Sequence, residues 1–408
     1  MTFPPALRHR QYALFWGGLM VSLAGSQMQL AAVLWHLRTL SDQPVVVTGI
    51  GLARFLPILL FAPLGGLVAD WFNRRRVLFV TQTAQLAVAL ALGMLTLSGR
   101  VTVWHIYFLS ALQALAMSFD LPARQSIVSN LVPDAELSSA FSLQSIAFNT
   151  GAIVGPALGG SVIAYLGQEY TYLINAMTFV VVLLALLWMG EVAQETPSQP
   201  RSVFNGFQSI AEGVQFIMRK PVILSAMILD FIATFFASAN YLLPFVVRDV
   251  LHVGEIQYGW LASAQAIGAV GVGLLVSQRA RIRRQGVLIL FSVIGFGLAT
   301  FGFGLAKTFA FAMLALILVG ASDSLSTILR NTLRQMLTPD SLRGRMVSIN
   351  QIFFIGGPQL GEIEAGMVAQ AFGTQAAILS GGVLCVLGAL VIARCWPQLA
   401  RYTDESRT

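Results

Sequence analysis

Residues Leu131–Gly167 recur without a gap as Leu337–Gly373, an offset of 206 in a chain of 408. Pro133/Pro339, Asp134/Asp340, Ser142/Ser348, Gly151/Gly357, Gly155/Gly361, Gly160/Gly366 and Gly167/Gly373 coincide. An offset of half the chain restricts the fold to two like halves, each holding its own copy of the same elements.

The solvent for those halves follows from composition. The chain is 56% hydrophobic and 11% charged, with a mean hydropathy of +0.74. A soluble protein of this length could not hide so much apolar surface, so the bilayer is the expected solvent. Twelve runs are long enough to span it: 14–36, 46–69, 77–97, 101–123, 141–165, 170–190, 221–247, 257–278, 286–306, 308–329, 347–371 and 374–395. The first is too long for a cleavable signal and lacks a small-residue cleavage site, so it is expected to remain as helix 1. Similar halves built from spanning helices are a mark of secondary transporters.

Basic residues set the orientation. With both termini in the cytoplasm, only Arg38, Arg100, Arg248 and Lys307 lie outside and Arg54 lies within the membrane; the rest of the 25 Lys and Arg are cytoplasmic. That asymmetry obeys the positive-inside rule and explains the net charge of +7 without a nucleic-acid partner. Cys385 and Cys395 near the end of helix 12 suggest neither a disulfide nor a metal site. The expected division is a first bundle over 1–190, a cytoplasmic linker over 191–220, a second bundle over 221–396 and a tail over 397–408. Within the linker, Phe204, Phe207, Ala211, Val214 and Met218 recur at helical spacing, the pattern of a helix lying on the inner leaflet.

Helices 3, 6, 9 and 12 hold no ionisable residue between their ends. Membrane-depth charges fall instead on helix 2 (Arg54), helix 4 (Asp120), helix 7 (Asp230), helix 10 (Asp323) and helix 11 (Glu362, Glu364). A charge in hydrocarbon costs at least about 2.5 kcal/mol, so these groups should face protein or a wet cavity. The charge-free helices should face lipid.

This pattern resembles the major facilitator superfamily, in which helices 3, 6, 9 and 12 are peripheral. The segment Gly66-Leu-Val-Ala-Asp70-Trp71-Phe-Asn73-Arg74-Arg75 resembles that superfamily's loop between helices 2 and 3, which stabilises the outward-facing state. It departs at Trp71, where a basic residue is usual, and at Asn73, where glycine is usual; asparagine tolerates a left-handed turn. Asp70 at a helix C-terminus opposes the macrodipole, which suggests that Arg74 or Arg75 offsets it.

On helix 5, Gly151, Gly155, Pro156, Gly159 and Gly160 resemble the core motif of the superfamily's drug/proton antiporters. Glycines four apart allow close helix packing, and ordinary packing is the competing reading. Ala53-Arg54-Phe55-Leu56-Pro57, Phe119-Asp120-Leu-Pro122-Ala-Arg124-Gln125, Leu342-Arg343-Gly344-Arg345 and Gly361-Glu362-Ile-Glu364-Ala-Gly366 resemble the enterobactin-exporter-like branch. Ser110 stands where the antiporters' helix 4 arginine is expected, so proton coupling would use other groups.

A proton-coupled carrier needs a carboxyl group that can take up a proton, and removal from water favours the neutral acid. Asp230 lies nine residues into helix 7, roughly 14 Å deep at 1.5 Å per residue. Asp323 lies in the polar run Ser322-Asp323-Ser324 on helix 10. The facilitator resemblance implies that both helices line the cavity, so Asp230 and Asp323 lead the proton-coupling candidates, followed by Glu362 and Glu364. Asp120 stands four residues before Arg124, the spacing of a local ion pair. Arg54 matches Glu362 and Glu364 in depth, and the fold implies that helices 2 and 11 pack together; an extracellular-side latch is the expectation. Gln27, Gln29 and Asn240 could hydrogen-bond a substrate or, as polar membrane residues often do, neighbouring backbone. His36 and Trp35 suit an interfacial position.

Five membrane-depth carboxyls against one arginine suggest an anionic path that favours protons and cationic, amphipathic solutes. The expectation is an all-α integral membrane protein of two pseudo-twofold related six-helix bundles. It would act as a monomeric, proton-coupled exporter of small compounds such as drugs or siderophores in the bacterial inner membrane, with lipid as its other partner. No cofactor, metal or catalytic residue is expected. Competing readings are an importer or lysophospholipid flippase on the same fold, or a transport-inactive sensor.

Overall fold

The structure, a computed structural model, describes residues 4–192, 194, 215–278, 282 and 284–403, less the side chains at 63, 340, 341, 343–345, 347–349 and 351–355. Its long helices are α1 (Arg10–Leu40), α2 (Ile50–Trp71), α3 (Arg74–Leu97), α4 (Val103–Leu131), α5 (Leu137–Tyr165) and α6 (Gln168–Trp188). They continue as α7 (Pro221–Phe236), α8 (Glu255–Ser277), α9 (Gln285–Gly304), α10 (Phe309–Leu337), α11 (Asp340–Phe372) and α12 (Thr374–Cys395). Eleven described helical stretches are long and apolar enough to cross a membrane. The remaining helix, α11, has the length at 33 residues, but its polar positions, Glu362 and Glu364 among them, lower its hydropathy. The expected amphipathic linker helix lies outside the described residues apart from Gln215–Met218, which is helical.

The repeat is visible in how the helices begin and end. Thr102 and Thr308, 206 residues apart, occupy the N-caps of α4 and α10. Both helices are 29 residues long. Gly167 and Gly373 join α5 to α6 and α11 to α12 at φ 104° and 92°, a region that side-chain-bearing residues avoid. Their identity in both halves is therefore a backbone requirement.

Asn73 behaves differently from the expectation. Its φ is −60°, and it caps α3 by accepting the Arg76 N–H at 3.2 Å. A side-chain amide that caps a helix needs no left-handed backbone, which is why asparagine can replace the usual glycine.

The chain divides into two compact units: Met1–Asp42, Leu52–Arg201 and Gly254–Ser263 form one; Gln43–Gly51, Ser202–Val253 and Ala264–Thr408 form the other. This differs from a simple division at the linker by two short exchanges. In the first unit, the start of α8 is held by Tyr258, whose hydroxyl donates to the Ala31 carbonyl at 2.9 Å, and by Ser263, which donates to the Ile153 carbonyl at 2.6 Å. A Cβ on Gly160 would meet the Gly259 backbone at 2.8 Å, so the approach requires glycine on both helices. In the second unit, the helical turn Pro44–Thr48 packs against α11 at Gly366, the repeat partner of Gly160.

Each unit has its own core. Tyr12, Phe15, Leu19, Leu78, Ile127 and Leu186 are buried together in the first, and Ile223, Leu229, Ile289, Val293, Leu333 and Ile392 in the second. The charge-free helices carry large exposed apolar side chains: Val80 on α3, Met177 on α6, Phe291 on α9 and Val391 on α12. Such surface is stable only under hydrocarbon. Trp35 and His36, expected at the interface, are instead buried; Trp35 packs on Tyr258, and His36 Nδ1 lies 3.0 Å from the Tyr172 hydroxyl.

Candidate functional site

Two of the membrane-depth acids form ion pairs with one repeated arginine. On α4, Arg124 pairs with Asp120 one turn earlier. Asp120 is 2% exposed and also accepts from Thr81 Oγ1 at 2.9 Å and Gln82 Nε2 at 2.7 Å, both on α3. Three donors hold this carboxylate, an arrangement suited to a fixed structural charge.

Arg330 occupies the position of Arg124 in the second repeat, 206 residues on. Its own helix offers Ser326 where α4 has Asp120. It pairs instead with Asp230 of α7 at 2.7 Å, both side chains being largely buried. Arg330 also donates to Thr327 Oγ1 at 3.0 Å. Asp323 lies two turns N-terminal on α10, exposed and within electrostatic reach of Arg330 and Asp230. The alignment of Arg330 with Arg124 is the sequence signal that marks it as a pairing residue.

Glu362 is engaged elsewhere. Its two oxygens accept the backbone N–H groups of Asn240 and Tyr241, each at 2.9 Å. Both partners belong to its own unit, and the carboxylate is already doubly occupied. Glu364 is half-buried. Among the described residues, no hydrogen bond or ion pair engages its carboxylate.

The remaining candidates separate clearly. Gln29 is 1% exposed, and both ends of its amide are used: it donates to Gln113 Oε1 at 3.0 Å and accepts from Asn175 Nδ2 at 2.6 Å. Both ends of its amide thus tie α1 to α4 and α6. Gln27 is half-buried and lies beside Gly155. Asn240 is exposed, and its Oδ1 accepts from Gln265 Nε2 at 2.5 Å. Gln265, and Gln359 beside Tyr241, went unread in the sequence because lone glutamines carry no motif.

The glycine motif of α5 serves close packing on α1. A Cβ on Gly155 would fall 2.5 Å from the Ala24 carbonyl oxygen, and ones on Gly151 and Gly159 would lie 3.0 Å from Leu23 and 3.1 Å from Met28. Pro156 is buried within the helix.

In the loop between α2 and α3 the arginines do not turn to Asp70. Arg74 reaches the Ser126 carbonyl at 2.9 Å and Asn130 Oδ1 at 2.5 Å, and Arg75 reaches the Leu186 carbonyl at 2.8 Å. Each thus binds acceptors near a helix C-terminus, where unpaired carbonyls gather negative charge. The Arg74 backbone N–H donates to Gln194 Oε1 at 3.0 Å, tying the start of the linker to this loop. Among the described residues, no group of three His, Cys, Asp or Glu is placed to hold a metal ion.

The chain matches the transmembrane secretion effector family over residues 2–406. It is 27% identical to the multidrug efflux pump Tap of Mycolicibacterium fortuitum, over 92% of this chain and 93% of that protein. It is 26% identical to the enterobactin exporter EntS of Citrobacter koseri, over 85% of this chain and 81% of that one. A crystal structure of a bacterial homolog of the human lysosomal transporter Spinster superposes with a TM-score of 0.75 at 14% identity, covering 98% of this chain and 99% of that one. That likeness shows the major facilitator fold. Fold, relatives and membrane-spanning helices all describe a transporter and not an enzyme, and the chain belongs to the transmembrane secretion effector family of the major facilitator superfamily.

Proposed function

We propose that this protein is a proton-driven exporter of small amphipathic compounds, with a preference for cations, working by alternating access. The reading rests above all on the buried Asp230–Arg330 pair with Asp323 two turns away on α10. An isolated buried ion pair is a costly way to hold helices together, because desolvation offsets most of its attraction. Its use here is as an exchangeable contact. A proton on Asp230 removes the negative charge and frees Arg330, which then turns toward Asp323. The proton and the position of α7 relative to α10 become linked, as coupling requires.

Export is supported by the efflux pump and the exporter among the relatives. The preference for cations is supported by a revised charge balance. Asp120 and Asp230 are each neutralised by an arginine, which leaves Asp323, Glu362 and Glu364 against Arg54. The surplus is smaller than the sequence suggested but has the same sign. A monomer in the bacterial inner membrane with cytoplasmic termini completes the proposal. An extracellular-side latch between Arg54 and helix 11, with Glu364 as its acid, is part of the proposal.

Everted membrane vesicles test this reading. Ethidium should accumulate in vesicles carrying the parent chain when a pH gradient is imposed, and collapsing the gradient should release it. Asp230→Asn and Asp323→Asn should each abolish gradient-driven accumulation. Equal accumulation with and without the gradient, or a preference for an anionic dye such as fluorescein, would refute the proposal.

A further inference from the structure

α7 is helical to Phe236, leaves the helix over residues 237–239 and resumes at Asn240 as a continuous helical stretch to Val250. Pro244 explains where the interruption falls. It has no N–H to give the Asn240 carbonyl, and its ring crowds that oxygen. A helix that starts afresh leaves its first N–H groups without intrahelical acceptors. Here another helix supplies them: the Glu362 carboxylate of α11, 2% exposed, takes Asn240 N–H on one oxygen and Tyr241 N–H on the other.

The neighbourhood is shaped for this reach. A Cβ on Gly361 would overlap the Phe235 carbonyl, and one on Gly357 would sit 2.6 Å from Thr234 Oγ1. Gly381 of α12 lies equally close to the Phe236 carbonyl. Glycines from two helices therefore bring their backbones against the last turn before the interruption. That close approach lets one glutamate side chain span it.

We propose that Glu362 is the positioning residue of α7: its carboxylate fixes where the C-terminal segment begins, and so aims the Asn240 side chain at Gln265. A carboxyl group can accept at both oxygens, as this geometry requires. A glutamine keeps one acceptor and turns an NH2 toward the other N–H. An alanine offers neither.

Spin labels on Lys220→Cys and Arg248→Cys, both exposed and at opposite ends of α7, measure the angle between its segments in the full chain with Cys395→Ser. The parent should give one narrow distance distribution. Glu362→Ala should broaden and displace it by several ångströms. Sodium formate, the same carboxylate without its tether, should narrow it again, and sodium chloride of equal ionic strength should not. Glu362→Gln, nearly isosteric, should give an intermediate distribution and remains available if the alanine variant does not fold. An unchanged distribution in either variant, or no response of the alanine variant to formate, overturns the proposal. No substrate is involved, so the result stands apart from the export reading.

Discussion

Arg124 and Arg330 show how one repeated residue comes to serve two purposes. Both stand at the same place in their repeats, but Asp120 on the same helix claims the first, and the second must reach across to Asp230 on α7. Arg330→Gln would leave Asp230 buried without its partner, a loss of about 3–5 kcal/mol. Adding Asp230→Asn should recover a large part of it. Thermal unfolding of the two single variants and the double variant in detergent measures this coupling, and strictly additive losses would deny it. The sequence showed the acids because charges at membrane depth are conspicuous. It hid the pairing of Arg330 because partnership between distant helices is not written in residue type. Gln29, a buried amide bonded to Gln113 and Asn175, shows a partnership that residue type does not announce. Gln29→Ala should cost about 1 kcal/mol per lost hydrogen bond in stability and leave the dye preference unchanged in vesicle assays.

Among the elements, the helices and their turns follow closely from apolar run length, threonine N-caps and the Gly167 and Gly373 turns. The interruption of α7 does not. Hydropathy averages across it because both segments are apolar, and Pro244 was the signal to weigh. Glycines also differ in what they do. Gly155 and Gly361 each lie against a neighbouring backbone carbonyl, whereas Gly66 faces open space. Gly155→Leu and Gly361→Leu should each lower stability by about 1–3 kcal/mol, or prevent assembly where the backbone cannot yield. Gly66→Ala should be tolerated. Detergent elution profiles and unfolding temperatures distinguish the three variants, and a stable Gly361→Leu would contradict the packing described for α11.

For the whole molecule, the internal repeat proved the most productive feature, since one offset accounts for paired caps, paired turns and the glycines Gly160 and Gly366 that receive the exchanged segments. Composition supplied the membrane. What neither could supply was partnership: which charge neutralises which, and which carboxylate is already occupied, as Glu362 is. The central claim is that a proton and a solute move in opposite directions through the Asp230–Arg330–Asp323 triad. Its most direct test is purified protein in liposomes with a pH-sensitive dye sealed inside, where an imposed ethidium gradient is the only driving force. The account predicts that ethidium flow through the parent chain changes the internal pH and that Asp230→Asn silences the change. Ethidium flow with no movement of protons, or a proton signal that persists in Asp230→Asn, would contradict it.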